Sequence, residues 1–386
     1  MNVQIDRDYI IQKTKDMVQI NSVNPSLSPG GKGEAEIGTY VADVLSDLGL
    51  DVKLYKLKPD RVNVVGILKG VGEGRSLLLN AHLDTVGVDG MIIDPFGAEI
   101  RNGRLYGRGS QDMKGSLAAM MGAAKAFVDT GIELAGDLII TGVADEEYAS
   151  IGSEDLVRHV SADGAIVTEP TDLSLCRAHR GFIWHEVETF GRAAHGSRFK
   201  EGVDANMRMG RFLAQLDNLE QELRNRPAHP LVGPPSLHAA RIRGGLEIST
   251  YAAHCLLEIE RRTNPGETES QATAEIQSII DRLESDDPTF KASLKATFWR
   301  EPFEVGEEAL LVKILEDSMT NQLGSKPAHS GQTFWTDAAL FAAAGMETAL
   351  VGPVGNGLHS EEEWVDLQSV VDLAHILAET AIKYCR

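Results

Sequence analysis

Three short apolar runs, each closing on acidic or imidazole side chains, constrain this chain more than any other feature. Leu77-Leu78-Leu79 leads to His82, Leu138–Val143 to Asp145-Glu146-Glu147, and Ala165-Ile166-Val167 to Thr168-Glu169. A short unbroken apolar run fits a strand buried on both faces, and such strands belong to parallel sheets covered by helices. Helical patterns lie between them: Ser116–Asp129 precedes the second run, and a helix near Ser153–His159 precedes the third. The alternation predicts an α/β domain with a largely parallel sheet.

The N-terminal part fits the same class. Ile10, Ile11, Met17 and Val18 are spaced for an amphipathic helix from Asp6 to about Ile20, and a second helix is expected from about Glu34 to Leu48. Asn24-Pro25 and Pro29-Gly30-Gly31 mark the loop between them. Strands are expected at Val62–Leu68 and Ser76–His82, with Gly70, Gly72 and Gly74 between them. This glycine cluster joins two strands rather than opening a helix, so it reads as a hairpin turn and not as a nucleotide-binding loop.

Near Gly181 the texture changes. Phe182–Phe190 alternates like a strand with one solvated face, and a long helix runs from Asp204 to about Arg226. After a proline-rich loop come strands at Leu237–Arg243 and Cys255–Arg261, a helix at about Ser270–Leu283 and a strand at Lys291–Trp299. This β-α-β-β-α-β order, over about 120 residues, fits a split βαβ sandwich. From about Pro302 the α/β texture returns, with helices at Glu308–Asn321, Asp337–Ala344 and Leu367–Tyr384 and a strand at Thr348–Val351. One domain, at about 181–298, is therefore expected to be inserted into another formed by about 1–180 and about 299–386.

Bulk properties exclude several classes. The net charge of −20, from 57 acidic and 37 basic residues, disfavours nucleic acid and anionic membranes as partners. No apolar run reaches the roughly 18 residues of a membrane span, and the N-terminus shows no apolar signal region. The three cysteines, Cys176, Cys255 and Cys385, are too scattered for a disulfide framework and read as plain thiols. A cytoplasmic protein is expected.

Five segments carry candidate chemistry. His82 and Asp84, two apart on a strand, can share a face, and a metal-bound imidazole typically has an acceptor behind it. Asp112 lies in the glycine-rich Gly107–Gly115, just before a helix, where a helix-start turn is the bland reading. Asp145-Glu146-Glu147 reads either as a solvated charge run or as a metal ligand beside a general base. Glu169 and His359 each sit in segments that alone pass for ordinary loops. Together, His82, Asp112, Glu147, Glu169 and His359 all fall at or past expected strand ends, where open α/β sheets assemble their sites. Two histidines and three carboxylates suit two neighbouring zinc-like ions, with one carboxylate bridging.

With AHLDTV, GRGSQDMKG, DEE, TEP and the late histidine in this order, the whole chain resembles the zinc-dependent hydrolases that include acetylornithine deacetylase, succinyl-diaminopimelate desuccinylase, aminoacylase and glutamate carboxypeptidase. The resemblance implies a zinc-exopeptidase-like catalytic domain with a central mixed sheet, and an inserted ferredoxin-like lid that dimerises. It implies two Zn²⁺, with Co²⁺ or Mn²⁺ as alternatives. Asp112 would bridge, His82 and Glu169 would hold one ion, and Glu147 and His359 the other. Glu146 would be the general base and Asp84 the partner of His82. His195, in Gly191–Ser197, would stabilise the oxyanion in the partner subunit's site, and Arg262 would grip a substrate carboxylate. Gly331 and Thr336-Asp337 match the pattern in the C-terminal half. One departure stands out: after Gly244-Gly245 the family usually has an asparagine and, three residues on, a proline, where this chain has Ser249 and Ala252. Ser249 would then line the lid side of the substrate pocket.

The implied function is hydrolysis of the amide bond of an N-acyl amino acid, a small carboxylate-bearing substrate. A dipeptidase or carboxypeptidase of the same family is the alternative. A hydride-transfer enzyme is disfavoured, because no glycine fingerprint follows a strand and opens a helix.

Overall fold

The computed structural model describes residues 3–386. They form two compact units, one of the described residues up to 177 with 305–330 and 336–386, the other of residues 178–304 and 331–335.

The first unit is built on a mixed sheet. Its strands lie in the order Asp51–Lys58, Arg61–Leu68, Leu138–Val143, Leu77–His82, Gly164–Val167, Glu347–Leu350 and Leu175–His179, the last leading out of the unit. The four strands in the middle run parallel, with Leu138–Val143 beside Leu77–His82, then Gly164–Val167, then Glu347–Leu350. The flanking strands are antiparallel. Every residue of Leu77–His82, Leu138–Val143 and Gly164–Val167 is buried, which is why these segments are mostly apolar; the buried polar Asn80 and Thr141 hydrogen-bond to each other at 3.1 Å. Helices Arg7–Val18, Gly115–Thr130, Leu310–Leu323 and Leu367–Tyr384 supply much of the core packed against them. Asp6 and Asp366 start the first and last of these by accepting from the N–H of Tyr9 and of Ser369.

Two sequence expectations need correction. Gly70, Gly72 and Gly74 are not a hairpin turn, because Leu138–Val143 lies between the two strands they connect. Their loop instead runs against the backbone of Ala135-Gly136, where a Cβ on Gly70 or Gly74 would come within 2.6 Å of a main-chain atom. The glycines are there for close backbone approach, not for a reversal. The true hairpin is Asp51–Lys58 with Arg61–Leu68, and its first strand was not anticipated. In Asp51–Lys58 no residue is fully buried, and Lys53, Lys56 and Lys58 sit on the sheet's edge. Charged, exposed edges protect a sheet from further pairing and also hide it from hydropathy patterns.

The second unit is a four-stranded antiparallel sheet in the order Ser236–Gly244, His254–Thr263, Gly181–Phe190 and Ala292–Arg300. Helices Ala205–Arg224 and Glu269–Asp286 share one core with it, through Phe212, Leu216, Ile276 and Ile280 against Val187, Leu257 and Ile259. This is the split βαβ arrangement expected from the element order. The inward residues of Gly181–Phe190 alternate with exposed or half-buried ones, as its period-two pattern requires.

His185 is one of those inward residues and is 1% exposed. Its Nε2 lies 3.0 Å from the Thr273 hydroxyl. Burial, and then the charge of Arg261, push its pKa down from 6.5 to about 4. The folded unit thus binds fewer protons here than the unfolded chain. The cost is absent above pH 6.5 and grows as pH falls from 6.5 to about 4. Protection factors of the Gly181–Phe190 amides, which correct for the slower intrinsic exchange in acid, are expected to fall across that window in the wild type and less so in His185→Gln. Equal acid sensitivity in the two would refute the assignment.

Candidate metal centre

The carboxyl ends of the four parallel strands meet at one edge of the first unit's sheet. Register puts His82 opposite Val143, Asn80 opposite Val167, and Val167 opposite Leu350. The loops that follow each strand therefore emerge side by side, and a fixed crevice outside such strand ends is where open α/β sheets place ligands. Gly352, after the fourth strand, abuts the carbonyl of Glu169 so closely that any Cβ would clash.

Two donor groups form there. The first is His82, Asp112 and Glu169; the second is Asp112, Glu147 and His359. In each group the donor atoms lie within 4.8 Å of one another. Asp112 divides its carboxylate between them: Oδ1 is 2.9 Å from His82 Nε2, and Oδ2 is 3.4 Å from His359 Nε2. His359 Nε2 is also 3.0 Å from Glu147 Oε2, and His82 Nε2 is 3.9 Å from Glu169 Oε1. Asp112 is carried on a wide turn, Ser110–Lys114, whose backbone leaves helical geometry at Asp112 and Met113. His359 sits on a loop with a left-handed backbone, and its side chain is half exposed.

The donors suit divalent cations. His82 Nδ1 lies 2.9 Å from the Asp84 carbonyl oxygen, which can only accept, so Nδ1 carries the hydrogen. Nε2, facing Asp112, is then the nitrogen free to bind a metal. Glu169 Oε1 is buried with no hydrogen-bond partner. Burial opposes a charge on His82, but Asp112, Glu169 and Asp84 overcome it and hold the ring protonated well above its ordinary value. Hydrogen bonds to Asp112 and Glu147 raise His359 to about 10. Burial, then neighbouring carboxylates, raise Glu147 and Glu169. In Asp112, burial is outweighed by the hydrogen bonds from His359 and His82, and its carboxyl is lowered. Clustered carboxylates thus draw protons into the positions that cations would fill.

Glu146 belongs to neither donor group. Burial first, and then the Glu169 carboxylate, push its carboxyl well above the usual range. Its backbone is held by Asp84, whose Oδ1 accepts from the Glu146 N–H at 3.1 Å and whose Oδ2 accepts from the Glu147 N–H at 3.3 Å. The Asp84 carboxylate is 3.7 Å from His82 Nδ1, so its carbonyl, rather than its carboxylate, is the nearer partner of that ring.

Sequence reading missed what lies behind these residues. Asn24 donates to Asp84 Oδ2 at 2.8 Å and to Asp145 Oδ1 at 3.0 Å. Arg61, 3% exposed, pairs with Asp145 at 2.6 Å. A buried Asn–Asp–Arg network therefore sets the Asp145–Glu147 turn. Asn24 reads from sequence as a loop marker and Arg61 stands just before the expected strand Val62–Leu68, so neither carried a signal. Asp337, buried, accepts from the Ser153 hydroxyl at 2.6 Å.

The remaining expected residues lie in the second unit. The loop bearing His195 runs beside the one bearing Ser249, with the Gly196 N–H donating to the Ser249 carbonyl at 2.7 Å. His195 is exposed, and its Nδ1 lies 2.9 Å from the Ser197 hydroxyl. Arg262 donates from Nε to Glu260 at 2.6 Å and lies over the Phe182 ring.

Residues 78–383 match the family described as Peptidase family M20/M25/M40. The chain is 27% identical to the N-formyl-4-amino-5-aminomethyl-2-methylpyrimidine deformylase of Bacillus subtilis, over 99% of this chain and 96% of that one. It is 29% identical to the acetylornithine deacetylase of Myxococcus xanthus, over 84% and 85%. Its fold is shared with aminopeptidase PepT from Bacillus cereus, with a TM-score of 0.82 at 18% identity covering 99% and 100% of the two chains. A dinuclear metal-binding M20 peptidase from Bacillus subtilis has the same fold, with a TM-score of 0.74 at 14% identity covering 98% of each chain. The chain belongs to peptidase family M20/M25/M40 and is an amidohydrolase or peptidase of that family.

Proposed function

We propose that this enzyme removes an acyl group from the nitrogen of a small carboxylate-bearing amine, such as an N-acyl amino acid, using two zinc ions. The observation that supports it best is the division of Asp112, one oxygen toward each donor group. His82 and Glu169 would hold one ion, Glu147 and His359 the other, and Asp112 both. When bound, such a pair supplies Lewis acidity and makes water acidic near neutral pH.

The chain's own residues do the rest. Glu146, kept out of both donor groups and with a raised proton affinity, takes a proton from the attacking water and returns it to the leaving nitrogen. Asp84 and Asn24 hold the turn on which it sits. Arg262 serves to orient a substrate carboxylate, for which its planar guanidinium is suited. His195 stabilises the oxyanion in a partner copy's site, and Ser249, whose loop runs beside that of His195, lines the lid side of the substrate pocket.

A homodimer through the second unit is part of this reading. Its edge strand Ser236–Gly244 is largely exposed, and Leu246 and Ile248 beside the Ser249 loop are fully exposed. Unpaired edges and exposed apolar side chains favour association. A cytoplasmic location is supported by three buried cysteines that form no disulfide among the described residues. Among the described residues no helix is long and apolar enough to cross a membrane.

The names of the relatives favour acyl removal: one deformylase and one deacetylase. The test is a panel of N-formyl and N-acetyl amino acids against dipeptides, with zinc returned to metal-free enzyme. The expected result is a kcat/KM at least about tenfold higher for N-acyl amino acids, a difference of about 1.4 kcal/mol in transition-state binding. The reverse order would make the enzyme a dipeptidase or carboxypeptidase. No turnover of either class would overturn the proposal.

A further inference from the structure

Glu363 closes the run Glu361-Glu362-Glu363, which as sequence resembles a solvated charge cluster. Glu361 is exposed, but Glu363 is completely buried. Its carboxylate is saturated with donors. Oε1 accepts from the N–H groups of Gln111 at 2.9 Å and Asp112 at 3.1 Å. Oε2 accepts from the Gly109 N–H at 3.0 Å and from Arg108 Nη1 at 2.8 Å. A carboxylate offers about four acceptor sites, so none is left for substrate or metal. Three of the four donors are backbone groups of the turn that carries Asp112.

The same residue ties that turn to the His359 loop. The Glu363 carbonyl accepts from the Gly107 N–H at 3.0 Å. Arg108, while paired with Glu363, donates from Nη2 to the carbonyl of Ser360 at 2.9 Å, next to His359. Burying a charged pair is a poor route to stability alone. Here it fixes the one side chain common to both donor groups and a second ligand of one of them.

We propose that Glu363 is a positioning residue for the metal centre: its carboxylate clamps the Gly109–Asp112 turn, and with Arg108 sets that turn against the His359 loop. The inference rests on the two-metal reading above. Its effect falls mainly on the Asp112, Glu147 and His359 group, because both clamped loops contribute there, whereas His82 ends a sheet strand and Glu169 lies two residues past the end of one.

The test is a calorimetric titration of zinc ion into the metal-free full chain, wild type and Glu363→Gln. The amide keeps the size but turns one acceptor into a donor facing N–H groups. The wild type is expected to take two ions. Glu363→Gln is expected to bind one as the wild type does and the other about 10–100-fold more weakly, the usual effect of losing an outer partner of a ligand. Its kcat should recover at raised zinc with KM unchanged. Two unchanged affinities, with or without a lower Tm, would overturn the proposal alone. Fewer than two ions in the wild type would overturn the metal reading, and this proposal with it. If Glu363→Gln does not fold, Arg108→Lys reads the same link, since lysine cannot serve Glu363 and Ser360 through one fork. It should weaken the same ion, and unchanged affinities there would again overturn the proposal.

Discussion

Glu146→Gln is expected to lower kcat by about 10²–10⁴-fold while leaving the metal content unchanged. The substitution keeps size and polarity but removes the proton acceptor. Glu146 contributes to neither donor group, so both stay complete. Its main-chain N–H still reaches Asp84, so the turn keeps its place. Because a proton acceptor acts in the transition state rather than in substrate binding, kcat and kcat/KM should fall together with KM little changed. Metal content by elemental analysis, alongside steady-state kinetics, decides it. Wild-type turnover would remove Glu146 from the reaction, and loss of metal would recast it as a ligand.

Asp112→Ala should have the larger effect, because it damages both donor groups at once. His82 and Glu169 remain on one side, Glu147 and His359 on the other. Two protein ligands fall short of the three or four that zinc sites use. Both ions are expected to be lost on dialysis, and turnover to drop by more than about 10⁴-fold, which corresponds to about 5.5 kcal/mol of transition-state stabilisation. The chain should remain folded by circular dichroism, since the turn is still held through backbone N–H groups on Glu363. Retention of two ions would contradict the bridging assignment.

The two units differ in how openly the sequence announced them. Leu77–His82 and Leu138–Val143 were legible because complete burial leaves segments that are apolar over most of their length. Gly181–Phe190 was legible because one covered face leaves an alternation. Asp51–Lys58 was not, since an exposed edge strand has little apolar surface to declare itself. The Gly70–Gly74 segment misled for another reason. Glycine permits either a tight reversal or close packing, and only strand order shows which is needed.

At the site, the identity of the candidate ligands was written locally. His82, Asp112, Glu147, Glu169 and His359 are chemically distinctive types placed after recognisable strands or glycine-rich turns, and they converge in space as two groups. What holds them was not written locally. Asn24, Arg61 and Glu363 are common residue types in unremarkable settings, and their partners lie 60, 84 and about 250 positions away. The apolar runs and their polar ends therefore determined, from sequence alone, the α/β class and which side chains form the candidate centre. The strand order, the network of Asn24 and Arg61 on Asp145 and the burial of Glu363 were decided only by the tertiary structure. The physical reason is that burial and hydrogen-bond partnership belong to pairs of distant segments, whereas a hydropathy pattern belongs to one.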